Sequence, residues 1–349
     1  MSAGSFVLEI TRVAILAVSL SVAVFATGGA SRYLAGAPTL IDRGMSTGEC
    51  TRESMTGMVT RILDSMVAHN PYTLPMATSY VATENSHAAA VGMMTSWRTI
   101  TKAGPPSLLA IDTTNCTAYF ALDISEGNDA VQNVLRARIA VVDQLITEME
   151  IFINRNRGDH GFSFSAEELP ANYAVLMSPP ANRTNPSRET LWELSQSLFA
   201  VSSSFEVNVA DDCQFTELGW RVIDPGPDGN GSTTPLGCSW PSSHPTDVNA
   251  RVALVIDEEL GFVVTSGIVP GKVFGYGNVS AFIPNTMTDA QEAQQVWWNA
   301  KEAEGTMPLL YPTGSTGDTL EVLQYYNDEL QAMQINVYLN GPNMTSAWL

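Results

Sequence analysis

An apolar run close to the N-terminus places the strongest constraint on the compartment in which this chain can fold. Residues 13–26 are uncharged, follow Arg12 and precede a stretch of small residues. This pattern is typical of a secretory signal peptide, with cleavage after Ala26 or Ala30. The run is shorter than the about 20 residues of a membrane-spanning helix. We expect residues 1–30 to be removed and the mature chain to be secreted or to stay in the secretory-pathway lumen, without a stable membrane span. An uncleaved signal anchor is the alternative.

Four cysteines, all beyond the predicted signal peptide, agree with folding in an oxidising compartment. They form no CxxC pair and no Cys/His pattern, so we predict no metal site. Their even number indicates two disulfide bonds, for which three connectivities exist. We expect bonding within each half of the chain. Cys50–Cys116 then ties the first helix to its own sheet, and Cys213–Cys238 closes the loop around Asn230.

Five Asn-X-Ser/Thr sequons also agree with export, because such sites are glycosylated on secreted proteins. The acceptor residues are Asn115, Asn182, Asn230, Asn278 and Asn343. The first sequon contains Cys116, so we expect inefficient glycosylation of Asn115 once that cysteine is bonded.

The charge balance narrows the class of partner. The formal net charge is -19 and the sequence pI is about 4.4. Such a surface repels phosphate backbones and anionic membranes, so we expect no nucleic-acid partner. A neutral or apolar small molecule is the expected ligand or substrate, with homodimer formation left open.

Hydrophobic periodicity predicts one helix after Thr51 and a second after Ser187, each followed by β-rich sequence. Both opening residues are good N-caps, and each helix carries Arg and then Glu at its first two positions. Residues 138–143 also match residues 251–257 apart from one insertion. This repetition indicates a duplication, the alternative being chance recurrence of short caps and Val-rich hairpins. We predict a first lobe over residues 31–160, a linker over 161–186 and a second lobe over 187–349.

Two predicted strands carry paired charges. Arg136 and Arg138 share one face of their strand, as Glu148 and Glu150 do on the next. A turn centred on Asp143 places Arg138 opposite Glu148 and Arg136 opposite Glu150. The set is then either a solvated charge ladder or, if it faces inward, a group of carboxylates with perturbed pKa values.

Several short motifs resemble a family of secreted fungal proteins catalogued mainly as a domain of unknown function. They include Thr83-Glu84-Asn85, Asn182-Arg183 with Ser187-Arg188, Asp212-Cys213 and Asp257-Glu258-Glu259 with Gly261. The order of helix and sheet resembles the NTF2-like or SnoaL-like fold. This resemblance implies an α+β protein of two such lobes, each a helix packed on a curved antiparallel sheet. It also implies kinship with cofactor-free fungal cyclases of the hetero-Diels–Alderase type.

No established catalytic motif occurs: the chain has no G-x-S-x-G, P-loop or H-E-x-x-H string. We therefore take the candidate site from the first lobe. A helix packed on a curved sheet forms a cone, and we expect a pocket at its open end. The candidate catalytic residues are His87, Glu148 and Tyr119. The candidate substrate-binding residues are Trp97, Arg98, Glu84 and Asn85. The donor to developing negative charge is Tyr119, Arg98 or His87.

Two functions of different classes follow. The first is a cofactor-independent cyclase or isomerase, of pericyclic Diels–Alder type, acting on an apolar fungal secondary metabolite. The second is a secreted, non-catalytic glycoprotein that binds a small molecule or a surface. A hydrolase ranks third, because no nucleophile–base pair is visible.

Overall fold

The computed structural model describes residues 50–127, 131–155, 165–222, 234–240, 244–276, 279–285, 296, 300, 303–305 and 313–348. The predicted signal peptide, Asn230 and Asn278 lie outside these ranges. Its α-helices are α1 (Arg52–Val67), α2 (Ser96–Thr99), α3 (Leu169–Leu176) and α4 (Arg188–Phe199). Helices α1 and α4 begin where the sequence predicts. The hydroxyls of Thr51 and Ser187 accept hydrogen bonds from backbone amides in the first turn of α1 and α4.

Strands are the main secondary structure of the described chain. The first seven are β1 (Met76–Glu84), β2 (His87–Ala88), β3 (Ile100–Ala103), β4 (Leu108–Asp112), β5 (Thr117–Glu126), β6 (Val131–Val142) and β7 (Leu145–Arg155). The next six are β8 (Val209–Glu217), β9 (Trp220–Arg221), β10 (Arg251–Asp257), β11 (Phe262–Ser266), β12 (Ile268–Tyr276) and β13 (Val279–Pro284). The last are β14 (Thr313–Thr319), β15 (Glu321–Tyr326), β16 (Glu329–Gln334) and β17 (Val337–Asn340).

These strands form three sheets, which we name A, B and C. Sheet A has the order β2-β1-β7-β6-β5-β3, with β4 also paired to β5. Sheet B has the order β10-β11-β15-β16-β8-β9, and sheet C has the order β13-β12-β14-β17. The pairs β1–β7 and β8–β16 are parallel. Sheets A and B thus repeat one topology, in which a strand that follows the helix lies parallel to the last strand of the same sheet.

Sheets A and B pack face to face between two helices. Because side chains alternate along a strand, each sheet has one face toward its helix and one toward the other sheet. In β5, Phe120 packs toward α1, whereas Tyr119 packs toward Phe262 and Val264 of sheet B. Helix α4 covers the far face of sheet B, and α3 packs at the edge of the layer between the sheets.

The predicted fold class of two NTF2-like or SnoaL-like α+β lobes is wrong. The described chain is mainly β, a third sheet is present, and sheets A and B bury their inner faces against each other. The error has a physical source. Strand β5 is buried on both faces, but its hydrophobic pattern does not show whether a helix or a second sheet covers the second face. The lobe and linker boundaries at residues 31–160, 161–186 and 187–349 remain predictions.

Both disulfide bonds join the predicted partners, Cys50 with Cys116 and Cys213 with Cys238. The first connects the residue before α1's cap to the β4–β5 turn, and the second connects β8 to a loop. Two disulfides fit an extracellular or secretory location. Among the described residues, none of the helices has the length and apolar composition needed to cross a bilayer.

Candidate functional site

The predicted pocket residues do not converge on one point. Trp97 is 2% exposed and belongs to the core between α1 and sheet A, where its indole N–H donates to Ser65 Oγ at 2.9 Å. Tyr119 is fully buried on the opposite face of that sheet. Glu148 lies on the same inner face as Tyr119 and is half-buried. A single ligand in contact with both Trp97 and Tyr119 would have to pass through the sheet.

The other predicted residues lie at the β1–β2 hairpin and the helix beside it. The Glu84 carboxylate accepts hydrogen bonds from the backbone amides of Thr95 and Ser96 at 2.7 and 2.8 Å, so it fixes the start of α2. Asn85 takes a positive φ in the hairpin turn, and its Oδ1 accepts from Ile153 N at 2.8 Å. His87 and Arg98 are exposed nearby. Glu84 and Asn85 therefore have evident structural tasks.

The paired charged side chains of β6 and β7 point toward the interior. The observed register places Arg138 opposite Glu150 and Arg136 opposite Phe152, two residues away from the predicted pairing. One residue of the shift arises because the turn is centred between Asp143 and Gln144, and the other from an irregularity between Ala140 and Val141. Because the shift is even, all four charged side chains keep one face, and that face is covered. The solvated-ladder alternative is therefore wrong: these charges face the layer between sheets A and B and not the interior of a cone.

Arg136 lies at the centre of the layer between the sheets with no exposed surface. Its guanidinium donates to the carbonyl oxygens of Leu320 and Asn336 at 3.2 and 3.3 Å and to Asn154 Oδ1 at 3.1 Å, and it stacks 4.9 Å from the Phe152 ring centroid. Burial lowers the pKa of Arg136. The guanidinium thus links the strands of sheet A to the chain that enters sheet B.

Tyr119 shares this layer. Burial raises the pKa of its phenol to about 12, although the Arg136 charge acts in the opposite direction. Its hydroxyl has no hydrogen-bond partner in the described structure. The phenol therefore stays protonated at physiological pH, where it can donate a hydrogen bond but cannot act as a base.

A second group of charges lies where sheets A, B and C meet. Arg251 donates to Glu150 Oε1 at 2.5 Å and to Ser266 Oγ at 3.1 Å. Asp318, 2% exposed, lies near the same carboxylate, and burial raises its pKa to about 6. Arg138 binds Glu148 Oε2 at 2.8 Å. Glu150 Oε2 and Asp318 Oδ1 both lack hydrogen-bond partners among the described atoms.

A reciprocal pair of carboxylates joins sheets A and B at one edge. Asp112 ends β4 and accepts from Ile256 N in β10 at 3.3 Å, whereas Asp257 ends β10 and accepts from Ile111 N in β4 at 2.8 Å. Each carboxylate also accepts from two backbone amides of its own turn. Each aspartate is therefore bound both to its own hairpin and to the hairpin of the other sheet.

The same carboxylates bind the first residue of each long helix. Arg188 of α4 makes a two-point contact with Asp112 at 3.0 and 2.6 Å, and Arg52 of α1 binds Asp257 at 2.7 Å and the exposed Glu259 at 2.7 Å. We name these four residues, Asp112, Arg188, Asp257 and Arg52, the clasp. The clasp is not predicted from the sequence, although both helices start with Arg.

The clasp also corrects the predicted internal match. The structure places β10 in the position of β4, so residues 251–257 correspond to the strand ending at Asp112 and not to residues 138–143. The turns after the two aspartates agree in detail. Cys116 and Gly261 both follow by four residues and both have positive φ. A side chain at position 261 would collide with the carbonyl oxygen of Tyr325, which explains the glycine.

An open groove of about 540 Å³ lies between α3, the β3–β4 connection and the ends of β5 and β6. Ile124 and Ser125 are buried at its base, and Met177 and Asp123 are half-buried. The remaining lining residues are Lys102, Gly104, Pro105, Pro106, Ser107, Gln132, Pro170, Ala174 and Ser178. Within the described structure, the Asp123 carboxylate has no hydrogen-bond or ion-pair partner. None of the seven predicted catalytic and substrate-binding residues lines this groove.

Among the described residues, no group of three or more His, Cys, Asp or Glu side chains is arranged to hold a metal ion. Comparison with protein-family models, with curated proteins and with solved structures finds no match to this chain. The fold and the sites above therefore define this protein as a disulfide-bonded, β-rich chain of two face-to-face sheets with a third sheet beside them.

Proposed function

We propose that this chain is a secreted glycoprotein that binds an apolar small molecule in the groove beside α3. The observation that carries the proposal is the groove itself. Its volume is within the range of about 300–1,000 Å³ that small-molecule sites occupy, and its lining combines apolar residues with six polar ones. Met177, Ala174 and the prolines supply the apolar surface. Asp123 and Ser125 supply polar atoms that can orient a ligand.

We expect a bulky side chain on α3 to block the groove. Ala174 lines it, whereas the neighbouring Val175 is 66% exposed and points elsewhere. Binding of the neutral apolar dye N-phenyl-1-naphthylamine is followed by fluorescence. Ala174→Trp should weaken binding at least tenfold, which corresponds to about 1.4 kcal/mol. The matched control Val175→Trp should bind the dye as the wild type does. Equal binding by both variants, or no saturable binding by the wild type, would show that the groove is not the binding site.

We assign the cyclase or isomerase function predicted from the sequence to the same groove as a second proposal, since His87, Trp97 and Tyr119 do not share a pocket. A catalyst of this kind holds its substrate in one reactive conformation, and the groove has the volume to hold a small molecule. We test catalysis in the groove by measuring turnover of a candidate polyene or quinone-methide precursor by the wild type and by Ala174→Trp. Acceleration over buffer that is lost in the variant supports catalysis in the groove. Acceleration unaffected by the variant would place the chemistry elsewhere.

Export predicts a glycan pattern that follows exposure. Asn182 and Asn343 are exposed, whereas Asn115 is half-buried and its amide donates to Asp112 Oδ2 at 3.2 Å. We expect glycans at Asn182 and Asn343 at high occupancy and lower occupancy at Asn115, measured by peptide mapping of protein secreted by a fungal host. Asn182→Gln and Asn343→Gln each should remove one glycan. An intact Met1 on unglycosylated intracellular protein would contradict export.

A further inference from the structure

Trp348 lies against two arginines that the rest of the fold holds in place. The Arg251 guanidinium carbon is 5.1 Å from the Trp348 ring centroid, and that of Arg138 is 6.0 Å away. Both distances are within the range of cation–π contacts. The arginines do not depend on the ring for their positions, because Glu150 and Glu148 bind them at 2.5 and 2.8 Å.

We propose that Arg138 and Arg251 form a binding site for a planar aromatic ring, and that the chain's own Trp348 occupies this site in the present structure. The site takes neutral rings, because the two guanidinium charges are matched by the carboxylates of Glu148 and Glu150. Residues 341–348 act as an internal plug that an external aromatic ligand displaces. This site is separate from the groove beside α3.

Two buried polar atoms without hydrogen-bond partners in this region indicate which class of aromatic ligand would bind. The indole Nε1 of Trp348 is buried without a partner, and Glu150 Oε2 is buried without a partner as well. Leaving such groups unpaired in a buried position is energetically unfavourable. A ring that carries an O–H or N–H donor and is free to shift can bond this carboxylate oxygen, which Trp348 does not do. We infer that the site selects planar aromatics with a donor, such as phenols and indoles.

Phenol and cyclohexanol give a matched test, because they share ring size and hydroxyl but only phenol is aromatic. Binding to Trp348→Ala is measured by calorimetry, with disulfide content and circular dichroism as checks of folding. We expect Trp348→Ala to bind phenol at least tenfold more tightly than cyclohexanol, and the wild type to bind phenol more weakly than the variant. Adding Arg138→Gln should reduce the preference for phenol. Its partner Glu148 is half-exposed, so this substitution leaves no fully buried charge unpaired. Equal affinities for the two alcohols would overturn the proposal.

If Trp348→Ala does not fold, two conservative variants test the aromatic-ring site instead. Trp348→Phe keeps an aromatic ring, whereas Trp348→Leu keeps only apolar surface. We expect the melting temperature of the Phe variant to stay within about 2 °C of the wild type and that of the Leu variant to fall by about 4 °C or more. Equal melting temperatures for Phe and Leu would show that the arginines do not recognise the ring, and the proposal would fail.

Discussion

Replacing Asp257 by alanine is expected to lower the free energy of unfolding by about 3–5 kcal/mol, the cost of breaking a buried charge pair by removing one partner. The carboxylate has no exposed surface. Its loss leaves Arg52 without its buried partner and the amide of Ile111 without an acceptor. It also removes a direct link between sheets A and B. The measurement is chemical denaturation of the wild type and variant with both disulfides intact.

Glu259→Ala is the matched control, because Glu259 binds the same Arg52 at the same distance but its side chain is 66% exposed. An exposed ion pair contributes about 0–1 kcal/mol, so this variant should unfold almost as the wild type does. Similar losses for Asp257→Ala and Glu259→Ala would mean that the clasp does not hold the sheets together. Asp112→Ala should resemble Asp257→Ala, since Asp112 has the equivalent contacts.

The second large effect concerns pH. The pKa of Asp318 is raised from 3.8 to about 6 by burial, and the nearby Glu150 acts in the same direction. Ser86, Arg251 and Arg136 act in the opposite direction without cancelling the effect. Because the folded chain binds the proton more tightly than the unfolded chain, this group's stabilisation is fully present below pH 3.8 and is lost as the pH rises through about 6. The difference between the two pKa values corresponds to about 3 kcal/mol.

Asp318→Asn should therefore raise the stability at pH 7 by up to about 3 kcal/mol and change it little at pH 4, because the amide resembles the protonated carboxyl. Unfolding by urea at several pH values between 4 and 7 measures this. Asp211→Asn removes one negative charge from an exposed position and should leave the slope of stability with pH unchanged. The prediction fails if Asp318→Asn retains the wild-type slope.

His244 adds to the same trend. Burial by itself lowers its pKa, but the buried Glu321 carboxylate at 2.8 Å and the Pro245 carbonyl more than offset this, so the pKa is raised overall. Its stabilisation is present below pH 6.5 and is lost as the pH rises through the raised value. Glu126 acts in the opposite direction. Burial raises its pKa, but Arg155 and Thr99 lower it overall, so its contribution is lost only as the pH falls below 4.5. We therefore expect the wild type to be more stable at pH 5 than at pH 7.

The candidate site was less predictable than the fold elements. The groove contains no titratable pair at a recognisable spacing, and its residues come from four separate segments of the chain. The predicted residues share chemical type and closeness in sequence. Trp97 and Tyr119 are 22 positions apart, but sheet A separates them. Periodicity shows that a residue is buried, whereas only the packing partner shows on which side of the sheet it meets a ligand.

Local features were determined by the sequence itself. The caps at Thr51 and Ser187 and both disulfide pairs agree with prediction, because they depend on residues close in the chain or on four cysteines with few pairings. The arrangement of the inner layer was decided by tertiary structure. Arg136 has polar atoms and a charge, which favour solvent in any local reading, but it binds Leu320 across 184 positions of sequence. The cost of burying that charge is offset in part by carbonyl groups from a distant segment, so its position depends on the whole fold.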